Sequence, residues 1–176
     1  MTHPLPQDLT YYHVSVPVFI KALTNLSSLL HKAVAFAAER QIDESELVNA
    51  RLAPDMFSLA RQVQSASDAA KSCAARLSGS EIPSFPDTET TLAQLQTRIG
   101  KTLDFLNSLP RESFAAAGER PIVMNMRGTE RTFSGYDYLF RLAIPNLFFH
   151  VTTAYDILRN QGLAIGKSDY LGSFDQ

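Results

Sequence analysis

The chain has 176 residues, 45% hydrophobic and 19% charged, a balance that predicts an ordinary globular protein with one domain over residues 1–176 and a sizeable core. Its formal net charge of −2, with dispersed basic residues, lacks the concentrated positive potential that a nucleic-acid partner requires. The single cysteine, Cys73, rules out an intrachain disulfide, a Cys-rich zinc cluster and a CxxC redox pair, and it predicts a cytoplasmic setting.

At the N-terminus, "MTHPLPQDLTYYH" lacks the basic region and apolar stretch of a signal peptide. No run reaches the roughly 18 apolar residues of a membrane span, so no membrane partner is expected. From Ser15, a plausible N-cap, Val16, Phe19, Ile20, Leu23, Leu26, Leu30, Val34 and Ala37 recur at helical spacing, predicting a first helix that ends near Arg40. Pro17 sits in its first turn, where the missing N–H matters little. After an acidic linker, "IDESELVNA", a second helix is predicted from Pro54, with Met56, Leu59, Val63, Ala66, Ala70, Cys73 and Leu77 on one stripe. Cys73 on that stripe reads as a small buried hydrophobe. "SGSEIPSFPD" breaks the helix.

A third helix is expected after Asp87 or Thr88, with Glu89 in its first turn favoured by the dipole and Pro110 ending it. "RPIVMNMRGTERTF" then alternates in period two around Gly128, predicting a β-hairpin. An isolated hairpin is marginal in water, so this one needs cover from helices or another subunit. Ser134 and Asp137 resemble a capping box opening a fourth helix, which Gly162 ends. Together these elements predict an all-α four-helix bundle with a small hairpin inserted before the last helix.

The fourth helix is apolar most of the way round. One face carries Leu139, Leu142, Asn146, Phe149, His150, Thr153 and Ile157. A second apolar stripe, including Phe140, Ile144, Phe148, Val151 and Tyr155, is expected to meet the hairpin or a second copy, so a homodimer is predicted. Asn146 and His150, four residues apart, are neighbours on one face, a spacing that suits two metal ligands on a helix. Alone, an inward-facing histidine reads as a hydrogen-bonded core residue. Pro145 removes one helical hydrogen bond just before this pair, opening space beside it. His3, His13 and His31 read as surface or boundary residues, no HxxxH or HxH occurs, and neither a nucleophile elbow nor a phosphate loop is present.

The stretches "RLAPDMFSLARQVQSASDAAK", "IPNLFFHVTTAYDILRNQG" and "IGKSDYLG" resemble an uncharacterised bacterial branch of the DinB-like superfamily. That resemblance implies a four-helix bundle, commonly dimeric, whose relatives often hold a divalent metal through three histidines. One of these lies on the second helix and two lie four apart on the last helix, before a Leu-Arg-x-x-Gly ending. Counting back from Leu158, Arg159 and Gly162 puts His150 at the last histidine position, Asn146 at the preceding one, and Gln62 or Gln64 at the second-helix position. The resemblance thus implies a small-molecule or altered metal pocket near Asn146 and His150, with His150 the one retained metal ligand for a divalent cation. It also implies one alternative, a metal-dependent thiol transferase or isomerase, while the two-sided fourth helix and the hairpin give another, a non-catalytic interaction module.

Overall fold

The computed structural model describes residues 9–126 and 128–174. Four long helices build it: α1 (Val16–Arg40), α3 (Leu59–Ser78), α4 (Leu92–Ser108) and α6 (Ile144–Asn160). Each packs mainly on two neighbours, in the order α1, α4, α3, α6 around a ring, with α1 and α3 also touching across it, so α3 touches both α4 and α6. Fully buried side chains from all four, among them Phe19, Leu26, Val63, Leu77, Ile99 and Leu147, form one apolar cluster along the bundle axis. Burying a side chain of that size contributes about 1.5–3 kcal/mol, which is why the stripes decide the fold.

The hairpin forms where the alternation placed it. Strand β1 (Ile122–Met126) pairs antiparallel with β2 (Thr129–Phe133), and Gly128 turns between them at φ +81°. It leads through Ser134, whose hydroxyl accepts the Asp137 N–H at 3.1 Å, into a one-turn helix, α5 (Gly135–Asp137). At Gly135 the chain passes so close to the Ala117 carbonyl that a Cβ would lie 2.0 Å from its oxygen, so only glycine fits.

Several boundaries differ from the sequence expectations. Ser15 is buried and gives α1 no side-chain cap, because its hydroxyl donates to the Tyr11 carbonyl in the preceding turn. The acidic linker contains a short helix, α2 (Glu44–Asn49), capped by Asp43 accepting the Ser45 N–H at 2.8 Å and anchored by buried Leu47 and Val48. The second long helix starts at Leu59, not Pro54: Ser58 caps it, while residues 52–56 form a turn closed by Met56 N–H to the Ala53 carbonyl. The third starts at Leu92, where Thr91 and Gln94 form a true capping box. Glu89 therefore precedes the helix, and its carboxylate faces Arg98 instead.

The last helix is continuous but not uniform. Tyr138–Ala143 is a π-helical stretch leading directly into α6, whose second residue is Pro145. Proline has no N–H for the Arg141 carbonyl one turn back, and the wider turn accommodates that loss. The second apolar stripe of α6 is largely covered within the chain: α1 packs on it, and the tail folds back as α7 (Lys167–Leu171), with Tyr170 edge-on to Tyr155 at 5.7 Å. No described helix is long and apolar enough to cross a membrane.

Candidate functional site

Two contacts set the relation of α3 to the last helix. His150 Nδ1 lies 2.7 Å from Gln62 Oε1, and Arg76 donates to the Tyr138 hydroxyl at 2.9 Å near the other end. The helices therefore run antiparallel, and between those contacts a groove of about 370 Å³ opens. Ser65, Asp68, Ser72 and Arg76 line it from α3, Leu142, Asn146 and His150 from the last helix, and Met124 and Met126 from β1.

The hydrogen bonds around Gln62 assign the protons of His150. Gln62 is 1% exposed, and its Nε2 donates to the Phe57 carbonyl at 3.4 Å. A carbonyl only accepts, so the amide nitrogen must face Phe57 and the amide oxygen must face His150. Because that oxygen also only accepts, Nδ1 carries the hydrogen. Burial, with a smaller contribution from the Arg61 charge, pushes the His150 pKa below its ordinary value, so the ring is neutral at pH 7. The remaining nitrogen, Nε2, then holds a lone pair. It takes no hydrogen bond among the described residues and is not one of the buried unpartnered atoms, so it reaches the solvent of the groove.

Aromatic rings hold the imidazole on two sides. Phe57 lies nearly parallel to it, at 6.5 Å and 11°, and Phe149 meets it edge-on at 5.3 Å. Both phenylalanines are about half exposed. Tyr138 stands at the far end under Arg76, 3% exposed, with its phenol pushed up to about 12, first by burial and then by the neighbouring Cys73. Cys73 itself is fully buried and its thiol is also pushed up by burial, the state of an inert core thiol.

The four residues singled out from the sequence do not all meet. Gln62 and His150 are bonded to each other, and Asn146 stands exposed on the groove's lip one turn before His150. Gln64, two residues from Gln62, points to the other side of α3, where it donates to Glu89 at 2.9 Å. Asp68, Arg76, Tyr138 and Phe57 were not foreseen. Asp68 and Arg76 carried a signal: two opposite charges eight residues apart share one face of a helix otherwise rich in alanine.

A three-imidazole metal site does not fit this arrangement. Gln62 directs its amide oxygen at His150, Asn146 contributes at most another amide, and no group of three His, Cys, Asp or Glu side chains converges among the described residues.

Residues 11–171 match the family model described as a domain of unknown function (DUF1993). The chain belongs to this family. It is also 43% identical to a DinB family member protein from Shewanella denitrificans, over 94% of this chain and 93% of that one, and their folds agree with a TM-score of 0.87. The DinB-like bundle expected from the sequence is thus established. None of the curated proteins compared matches it.

Proposed function

We propose that this DinB-like protein binds a small molecule in the groove between α3, the last helix and β1, holding a hydrogen-bond donor of that molecule on His150 Nε2. The observation that carries this reading is the Gln62–His150 bond. It fixes one tautomer and leaves an unshared acceptor facing solvent in an otherwise buried ring. A concave site with an apolar wall and few polar groups is the usual form of a small-molecule pocket. His150 is the binding residue, Gln62 positions it, and Asn146 lies at the entrance; Gln64 belongs to the support of the bundle.

The donor set gives the alternative of a metal-dependent thiol transferase or isomerase no comparable support, since such chemistry draws on several strong ligands. The homodimer and cytoplasmic setting remain part of the proposal. Phe57 and Phe149, both about half exposed beside His150, would give a second copy an apolar contact there, and light scattering showing a monomer would remove it.

The test has two arms. Metal analysis and calorimetric titration with zinc, nickel and manganese should find no tight site. A panel of small molecules followed by the His150 ring resonances should contain compounds that shift them and lose binding in His150→Ala. A panel in which no compound moves those resonances sinks the proposal.

A further inference from the structure

Resting on that reading of the groove, the geometry points to the class of ligand: we infer an elongated zwitterion, its ammonium group at Asp68 and its carboxylate at Arg76, on the groove that His150 also lines. Arg76 lines the groove and is held there by Tyr138, whose hydroxyl accepts from Nη1 at 2.9 Å and whose ring lies 5.6 Å below the guanidinium. No carboxylate pairs with Arg76 among the described residues. Its Nε and Nη2 have no described acceptor and are not among the buried unpartnered atoms, so they offer a fork of N–H groups to the groove. A planar fork of this kind suits a carboxylate.

At the other end the groove presents one free carboxylate oxygen. Asp68 Oδ1 accepts from Arg98 at 2.8 Å and from Lys71 at 2.9 Å, both outside the groove lining, while Oδ2 takes no described donor and the side chain is 40% exposed. His150 Nε2 is a neutral acceptor farther along the groove, beside Gln62. The free carboxylate oxygen suits a group with several N–H donors, which an ammonium supplies. Met124 and Met126 between the ends give an adaptable apolar wall for a methylene chain.

The spacing bounds the length. Arg76 reaches back to the Ser72 carbonyl at 3.5 Å, so its head group lies level with Ser72. Asp68 is four residues earlier, and a helix rises about 1.5 Å per residue, which places the ends roughly 6 Å apart along the helix. A chain of five methylenes spans that gap; an α-amino acid such as glycine does not.

The test compares 6-aminohexanoate with hexanoate, pentylamine and glycine, using calorimetry and the side-chain resonances of His150 and Arg76. 6-Aminohexanoate should shift both residues and bind roughly tenfold or more tightly than each of the other three. Arg76→Gln should reduce it to the affinity of pentylamine, and Arg76→Lys, which keeps the charge but not the fork, should restore part of the difference. If pentylamine or hexanoate binds as well as 6-aminohexanoate, or if Arg76→Gln leaves its affinity unchanged, the zwitterion is wrong while the groove keeps its broader role. If none of the four moves His150, the ligand class is overturned, and the broader panel with His150→Ala still decides whether the groove binds small molecules at all.

Discussion

The two sides of α3 handle buried polar groups in opposite ways. Toward α4, Arg98 is 2% exposed and surrounded by the carboxylates of Asp68, Asp87 and Glu89 at 2.8 to 3.0 Å, with the Pro86 carbonyl at 3.2 Å. Gln64 also donates to Glu89, and Ser67 is bonded to Thr102 at 2.7 Å. These bonds pin the loop between α3 and α4 to the bundle. Toward α6, the Gln62–His150 pair, Asp68 and Arg76 each keep an unused donor or acceptor. Toward α4 Arg98 Nε is buried without an acceptor among the described residues, but the polar groups there otherwise satisfy one another and hold the fold together, whereas a set with free donors and acceptors in a concave site is suited to meeting something else.

The largest test of this contrast is Arg98→Ala. It strands three carboxylates, one of them, Glu89, largely buried, and should destabilise the protein by about 3–5 kcal/mol in urea unfolding. A cost below about 1 kcal/mol would mean that the α4 side is no more structural than the groove.

At the groove, the Tyr138 phenol provides a second measure. An acid whose folded pKa is raised keeps its stabilising effect below its unfolded value of 10.0 and loses it as pH rises toward about 12, because the unfolded chain releases the proton first. A shift of that size corresponds to about 2–3 kcal/mol. Stability should fall more steeply from pH 10 to 12 than in Tyr138→Phe, and tyrosinate absorbance should show one late-titrating phenol.

Gln62→Ala should cost roughly 1–3 kcal/mol, since it leaves the buried His150 N–H without its acceptor. The sharper readout is nitrogen NMR: His150 should be the Nδ1–H tautomer in the parent protein and a mixture in the variant. A parent protein already showing Nε2–H would remove the free acceptor from the groove.

The smallest expected effect lies on the acid side. A buried histidine with a lowered folded pKa resists protonation, so the unfolded chain binds the proton first and stability declines as pH falls through the ordinary value of 6.5. His150→Gln should flatten that decline in unfolding midpoints measured between pH 7 and 5. Identical slopes in the two proteins would argue that the ring is more open to water than its burial indicates.

Helical spacing was enough to read four long helices, and alternation was enough for the hairpin, because each apolar stripe has to be buried somewhere. Boundaries were harder to read. Pro54 is a good helix opener, yet Ser58 has the better side-chain cap, and "IDESELVNA" hides its helix behind charges that face water. The site was legible only in part. His150 and Asn146 sit on one visible face, but whether Gln62 or Gln64 meets them depends on how far α3 is rotated, which a single helix cannot reveal. Arg98 could have been suspected, since it shares the inward face of α4 with Leu95, Thr102 and Leu106, all buried. Arg76 and Asp68 gain meaning only once β1 and Tyr138 close the groove over them.

The π-helical stretch from Tyr138 to Ala143 also fixes a rotational phase. A π turn holds about one residue more than an α turn, and each residue turns the helix by about 100°. Deleting one residue from this stretch, so that it closes as ordinary α-helix, would swing everything beyond it by that angle and carry His150 away from Gln62. One extra residue a full turn before Asn146 therefore determines which side chains of the last helix look into the groove.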